Sequence, residues 1–134
     1  MFLRGETLRV AGRYLLNIHS GIVPAYRNVH SEFWAIRRSD FGNVGVSIIH
    51  LDEGIDSGPV ALQRRLTVGP GESIFSVRYR NSLLAVEAAL EALDAAASGP
   101  LPATPQDASK REFHRTPTLA DLANALVDRS PVAD

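Results

Sequence analysis

The chain has 134 residues, 45% hydrophobic and 22% charged, with 14 Lys+Arg against 15 Asp+Glu and no cysteine. That length allows one domain with a real core, and a net charge of −1 excludes an electrostatic grip on nucleic acid or anionic lipid as the main activity. Lack of cysteine rules out disulfide scaffolds, thiolate metal sites and cysteine nucleophiles, and no apolar run reaches the roughly 18 residues of a membrane helix.

The start, Met1 to Ala11, carries Arg4, Glu6 and Arg9 and does not have the pattern of a signal peptide, so a soluble, cytoplasmic protein is expected. Leu3 to Gly12 suits a short helix closed by glycine. Tyr14 to Ile18 is a short apolar run of buried-strand type, ending in the loop Ser20 to Pro24. Val29, Phe33 and Ile36 recur at helical spacing and predict a helix over Val29 to Arg38. A turn at Asp40 to Asn43 leads to a Val- and Ile-rich strand, Val44 to Leu51. The loop Asp52 to Pro59 carries three carboxylates, and Val60 to Val68 alternates as a half-buried strand does. After the break Gly69-Pro70-Gly71 comes the longest predicted helix, Glu72 to Ala97, with Leu83, Val86, Leu90, Leu93 and Ala97 read as its core face. Leu101 to Arg115 is Pro-rich and irregular, a covering segment or linker. Thr118 and Asp121 form a capping box for a last helix, Leu119 to Val127, and Pro131 to Asp134 should fray. This order is an α/β pattern, with strands and helices enough for half of a doubly wound sheet.

Asn17 and His19 lie two apart at a strand end, so their side chains share one side, and strand ends opening onto loops are where open α/β sheets place ligands. An amide donor beside an imidazole suits the charge that develops on a carbonyl oxygen in acyl transfer. The plainer reading is a turn-forming Asn and a His satisfied by backbone. Asp52, Glu53 and Asp56 form a second cluster. One carboxylate near His19 would hold its tautomer and favour the imidazolium, while a solvated acidic turn is the bland alternative. A calcium loop is disfavoured because the D-x-D-x-D-G spacing is absent. His30, His50 and His114 have no companions at i+3 or i+4, so no metal site is expected. No G-x-S-x-G elbow and no glycine-rich phosphate cradle occur. Arg64-Arg65 and Arg78-x-Arg80 read as solvated faces.

The stretch Asn17-Ile18-His19-Ser20-Gly21-Ile22-Val23-Pro24-Ala25-Tyr26-Arg27 resembles the N-x-H-x-x-x-x-P-x-Y-R signature of the folate-dependent formyltransferases. A second block follows at the proper distance. Gly45 to Leu51 and then Asp52-Glu53-Gly54-Ile55-Asp56-Ser57-Gly58-Pro59 are similar to that family's G-V-T-I-H strand and D-x-G-x-D-x-G loop, and Gln63 continues the match. Two departures stand out: Asn28 replaces a common glycine, and Ser20-Gly21-Ile22-Val23 replaces the commoner Pro-Ser-Leu-Leu. Arg111 to Leu122 looks like the closing segment of some sugar-modifying members.

The resemblance implies a three-layer, Rossmann-like α/β sheet flanked by helices, of which the N-terminal mononucleotide-binding half is expected to be absent. Residues 1–100 would then be the C-terminal half of a catalytic domain and 101–134 a Pro-rich closing segment with a short helix. It also implies formyl transfer from 10-formyltetrahydrofolate to a small-molecule amine, possible acceptors including an amino-sugar nucleotide. Asn17, His19 and Asp56 match the catalytic trio. Asp52, Glu53, Gly54 and Ile55 match the donor-binding loop, and Tyr26 and Arg27 would flank the acceptor. No metal is implied. The rival expectation is a truncated, non-catalytic remnant that acts as a binding module. An incomplete sheet would expose an edge or an apolar face, so a homo-oligomer is expected.

Overall fold

A computed structural model describes residues 12–127. The helix expected over Leu3 to Gly12 and the tail Pro131 to Asp134 fall outside the described residues, except for Gly12 itself. Three strands, β1 (Leu16–His19), β3 (Gly45–His50) and β4 (Val60–Arg65), form one sheet in the order β1-β3-β4. A short β2 (Arg27–Asn28) pairs with β5 (Phe113–His114). The helices are α1 (Ser31–Arg37), α2 (Ile74–Ser98) and α3 (Leu119–Val127).

The described sheet is antiparallel throughout, whereas half of a doubly wound sheet would have been parallel. Two causes are visible. The loop between β3 and β4 is too short for the crossover a parallel pair needs. Between β1 and β3, α1 has only seven residues, about 10 Å of helix, and a 3₁₀ turn at Phe41–Asn43 sends the chain back against β1. The register sets Asn17 opposite Ile49 and His19 opposite Ser47. Directly opposed residues share a face, so Asn17, His19, Ser47 and Ile49 lie on one side of the sheet.

On the other side Val46, Ile48, Ala61, Ala88 and Ala92 form a buried cluster under α2, with Leu16, Leu62, Leu84 and Leu101 packed around it. β3 is buried along almost its full length, as its place in the middle of the sheet requires. A second cluster joins Tyr26, Ala35, Val44 and Val77. Ser73 caps α2 by accepting from the Ser76 N–H at 3.2 Å. Glu72 lies just outside the helix, where it accepts from the Gly69 N–H, the Ser76 hydroxyl and Arg80. Arg80 above all holds its carboxyl down at about 2.

One expectation about α2 is overturned. The stripe read as its core face is solvent-exposed: Leu83 49%, Val86 58%, Leu90 58% and Leu93 61%. Val77, Asn81, Ala88 and Ala92 are buried instead. Small residues win the core face because α2 lies close against β3. Helix α3 begins as expected, with the Asp121 N–H donating to Thr118 Oγ1 and the Thr118 N–H to Asp121 Oδ2.

The Pro-rich segment is a strap across the molecule. Thr104 exchanges backbone hydrogen bonds with Val60 at 2.8 and 3.0 Å, Pro102 accepts from His50 Nε2, and β5 then reaches β2.

Candidate active site

The sheet and the loop after β3 bring Asn17 and His19 together with a carboxylate distant in sequence. Asn17 Nδ2 donates to Asp56 Oδ1 at 2.9 Å, and His19 Nδ1 lies 3.3 Å from Asp56 Oδ2. The Asn28 backbone N–H donates to the same Oδ2 at 2.8 Å. His19 is buried and the Asp56 side chain is 12% exposed. Asp56 itself sits at φ 47, a left-handed position that aspartate tolerates better than most residues. The period-two placement of Asn17 and His19 on one strand face is what lets both reach this single carboxylate.

The tautomer of His19 follows from its other side. Nε2 is 2.7 Å from the Tyr26 carbonyl, which can only accept, so Nε2 carries a hydrogen. Both ring nitrogens thus face oxygen atoms, Nε2 the Tyr26 carbonyl and Nδ1 the Asp56 carboxylate. Ser31 Oγ lies 3.4 Å from Nε2. A Cβ at Gly21 would meet Ser31 Oγ at 2.5 Å and His19 Nε2 at 2.8 Å, so the Ser31 side chain fills the space that a side chain at 21 would claim. Gly21, one of the departures from the family signature, and Ser31 are therefore sterically complementary.

The loop behind the imidazole is tied to the sheet by Ser47. Its hydroxyl donates to the Gly21 carbonyl at 2.6 Å and accepts from the Val23 N–H and from Gln63 Nε2. Gln63 also donates to the Val23 carbonyl.

Tyr26 and Arg27 are buried, with polar ends engaged inside the protein. The Tyr26 hydroxyl donates to Asp40 at 2.8 Å, and burial, reinforced by that hydrogen bond, pushes its phenol up to about 12. It is a neutral packing group at neutral pH. Arg27 donates through Nε and Nη2 to Gln106 Oε1 at 3.1 and 2.7 Å. Burial first, then Arg111, pull its guanidinium below the usual value. The Gln106 amide in turn donates to the carbonyls of Asp56 and Gly58 at 2.9 and 2.7 Å. Gln106 thereby clamps the loop that carries Asp56. Nothing in the composition of the Pro-rich segment marks this residue, and the backbone groups of Tyr26 and Asn28 carry no sequence signal either.

In the loop after β3, Asp52 is an internal brace. Its carboxylate accepts from the Gly54 N–H at 3.0 Å and from Ser57 Oγ at 2.7 and 2.9 Å. Glu53, Gly54 and Ile55 are exposed. Among the described residues no group of three His, Cys, Asp or Glu is placed to hold a metal ion, and no helix is long and apolar enough to cross a membrane.

A cavity of about 280 Å³ opens beside the trio, lined by residues that include Ser20, Asn28, His30, Glu32, Arg78 and Asn81. None of Asn17, His19 and Asp56 lines it. It adjoins them through Ser20, next to His19 in the chain, and through Asn28, which holds Asp56. Its wall contains an ion pair between the half-exposed Arg78 and the buried Glu32, Nε to Oε1 at 2.9 Å, and Arg78 also donates to His30 Nδ1.

An amide, an imidazole and a carboxylate thus meet at the edge of the antiparallel sheet of an α/β fold. Residues 1–93 match the formyl transferase family model, and the chain belongs to that family. It is 33% identical over 110 residues to a methionyl-tRNA formyltransferase of Anaeromyxobacter dehalogenans, covering 82% of this chain and 35% of that protein. A methionyl-tRNA formyltransferase of Methylibium petroleiphilum is 32% identical over the full chain and 41% of its own length. The chain thus spans between about a third and two fifths of these relatives. Among solved structures, the formyltransferase PseJ from Anoxybacillus kamchatkensis, in complex with a formamido-sugar nucleotide and tetrahydrofolate, superposes with TM-score 0.77 at 18% identity, over 97% of this chain and 66% of that one. Glycinamide ribonucleotide transformylase 1 from Symbiobacterium toebii gives 0.68 at 24% identity, over 80% and 52%. Both likenesses speak for the fold.

Proposed function

We propose that the chain transfers a formyl group from 10-formyltetrahydrofolate to a primary amine at Asn17, His19 and Asp56. The observation that carries this reading is the convergence of Asn17 and His19 on one carboxylate 39 residues from Asn17. In the reaction the amine nitrogen bonds to the formyl carbon, the carbonyl oxygen takes up negative charge, and the bond to the donor nitrogen then breaks. Asn17 has a second Nδ2 hydrogen beyond the one given to Asp56 and directs it to that oxygen. His19, fixed through Nε2, offers its Nδ1 side. Asp56 supports the imidazolium and relays the amine proton toward the departing nitrogen.

The exposed backbone of Glu53 and Gly54, beside the Ile55 side chain and braced by Asp52, suits the hydrogen-bonding edge and flat face of a pterin, and these four residues are assigned to the donor. Tyr26 and Arg27 are assigned a supporting role, the first by offering its carbonyl to His19 and the second through Gln106. The polar cavity beside the trio favours a hydroxylated acceptor, and an amino-sugar nucleotide is the acceptor class proposed; solved relatives hold such ligands.

The test is tetrahydrofolate release from 10-formyltetrahydrofolate with an amino-sugar nucleotide as acceptor. His19→Ala and Asp56→Asn are each expected to lower turnover by about 10²–10⁴, with folinic acid binding retained by calorimetry. Turnover indifferent to His19→Ala would remove the assignment. Because the chain spans a minor part of its relatives, a second reading is a binding module, identified by folinic acid binding with no turnover in the unaltered chain.

A further inference from the structure

Helix α2 carries two apolar faces, one spent on its own core. Its outer stripe runs Tyr79, Leu83, Val86, Leu90, Leu93, Ala97 at spacings of 4, 3, 4, 3 and 4, the a/d repeat of a two-helix seam. Tyr79 is 67% exposed, and the stripe covers about 27 Å of helix at 1.5 Å per residue. A helix apolar on both sides is a buried helix in an ordinary domain, and a contiguous exposed stripe marks an interaction surface.

We propose that this stripe pairs with the same stripe of a second copy, antiparallel, about a two-fold axis level with Ala88. This arrangement matches sizes layer by layer. Bulky Tyr79 meets small Ala97 of the second copy, Leu83 meets Leu93, and Val86 meets Leu90, each layer occurring twice by symmetry. Charge agrees. Along one flank Arg80 of each copy faces Asp94 of the other, while the opposite flank, Ser82, Ala89 and Ala96, is small and uncharged and admits close approach. A parallel pair would set Tyr79 on Tyr79 and Ala97 on Ala97 and would give Arg80 no acidic partner. One unfavourable contact lies on the axis, Glu87 against Glu87. Arg80 also binds Glu72 of its own chain at 2.7 Å, which holds its guanidinium on this flank.

Light scattering across a dilution series tests the pairing independently of any turnover. The unaltered chain is expected as a dimer, and Leu90→Glu as a monomer with unchanged helicity. Asp94→Arg should weaken the dimer about fivefold through two like-charge meetings, Arg80→Glu added to it should restore the affinity, and Glu87→Gln alone should tighten it. A monomer at all concentrations, polydisperse aggregates, or a dimer unaffected by Leu90→Glu overturns the proposal. Failure of Arg80→Glu to restore the Asp94→Arg dimer overturns the antiparallel register.

Discussion

At the scale of single residues the proposed site divides into groups assigned to the reaction and groups that hold them. Asn17, His19 and Asp56 were singled out by the resemblance of two sequence blocks to a family signature; spacing alone left a plainer reading for Asn17 and His19 and did not choose among the three loop carboxylates. Gln106 was not, because it acts through one amide at a place where only the folded chain puts it. Its two donors and its carbonyl are all used, so Gln106→Ala leaves a buried guanidinium and two carbonyls with a lost partner. The expected result is turnover lowered about tenfold with folinic acid binding nearly intact, since the misplaced group is Asp56. Unaltered turnover in Gln106→Ala, measured in the same assay, would restrict Gln106 to a structural role. His114 makes a prediction of the opposite kind, about stability. It stacks on Tyr26 at 4.9 Å and donates to the Ala25 carbonyl. Burial, helped by Arg38, pushes its imidazole below the ordinary 6.5, against smaller opposing pulls from Ala25 and Glu112. The folded state therefore binds this proton less readily than the unfolded chain. Its contribution is complete above about 6.5 and is lost as pH falls through the lower folded value. Urea midpoints should drop between pH 7.5 and 5.5, and His114→Phe should flatten that slope. Glu72 does not interfere, because its stabilising ionisation is lost only as pH falls from about 4.5 toward about 2.

At the scale of elements, the longer helices and strands among the described residues were placed within a few residues by periodicity and breakers, but the short pair β2 and β5 was missed and the buried face of α2 was misjudged. Hydrophobic spacing identifies an apolar stripe and not what covers it. Alanines at 88 and 92 attract no notice in a sequence, yet they are what close packing on β3 selects. Strand direction was also out of reach, because α1 reveals its shortness only once its ends are seen. Two substitutions probe how the elements hold the site. Ser47→Ala removes the hydroxyl shared by Gly21, Val23 and Gln63 and leaves buried polar partners behind; chemical denaturation should register a loss of about 1–3 kcal/mol. Gly58→Ala would set a Cβ 1.7 Å from the His50 carbonyl oxygen, a collision with backbone that the loop cannot avoid without moving. Its expected outcome is loss of turnover with the α2 core still folded, read by the thermal transition; a fully active Gly58→Ala protein would show that the loop moves freely.

At the scale of the whole molecule, the strap from Leu101 to Arg115 and the outer face of α2 matter most; the first reads in the sequence as a covering segment or linker and the second as a core face. The strap binds the β4 edge at Thr104, the Asp56 loop at Gln106 and β2 at Phe113–His114, so the site is closed by a segment whose composition suggests a linker. Cutting the chain after Gly99 should therefore abolish turnover even though the trio precedes the cut, and limited proteolysis of the strap checks this directly. By itself the sequence determined the α/β class, the family and, through the resemblance of two blocks to a family signature, the three chemical groups of the proposed site, because each block depends on residue type at fixed local spacing. Only the tertiary structure decided the strand directions, the tautomer of His19, the clamp by Gln106 and the exposure of the α2 stripe. Each of these depends on which distant backbone a side chain meets, and no local pattern encodes that.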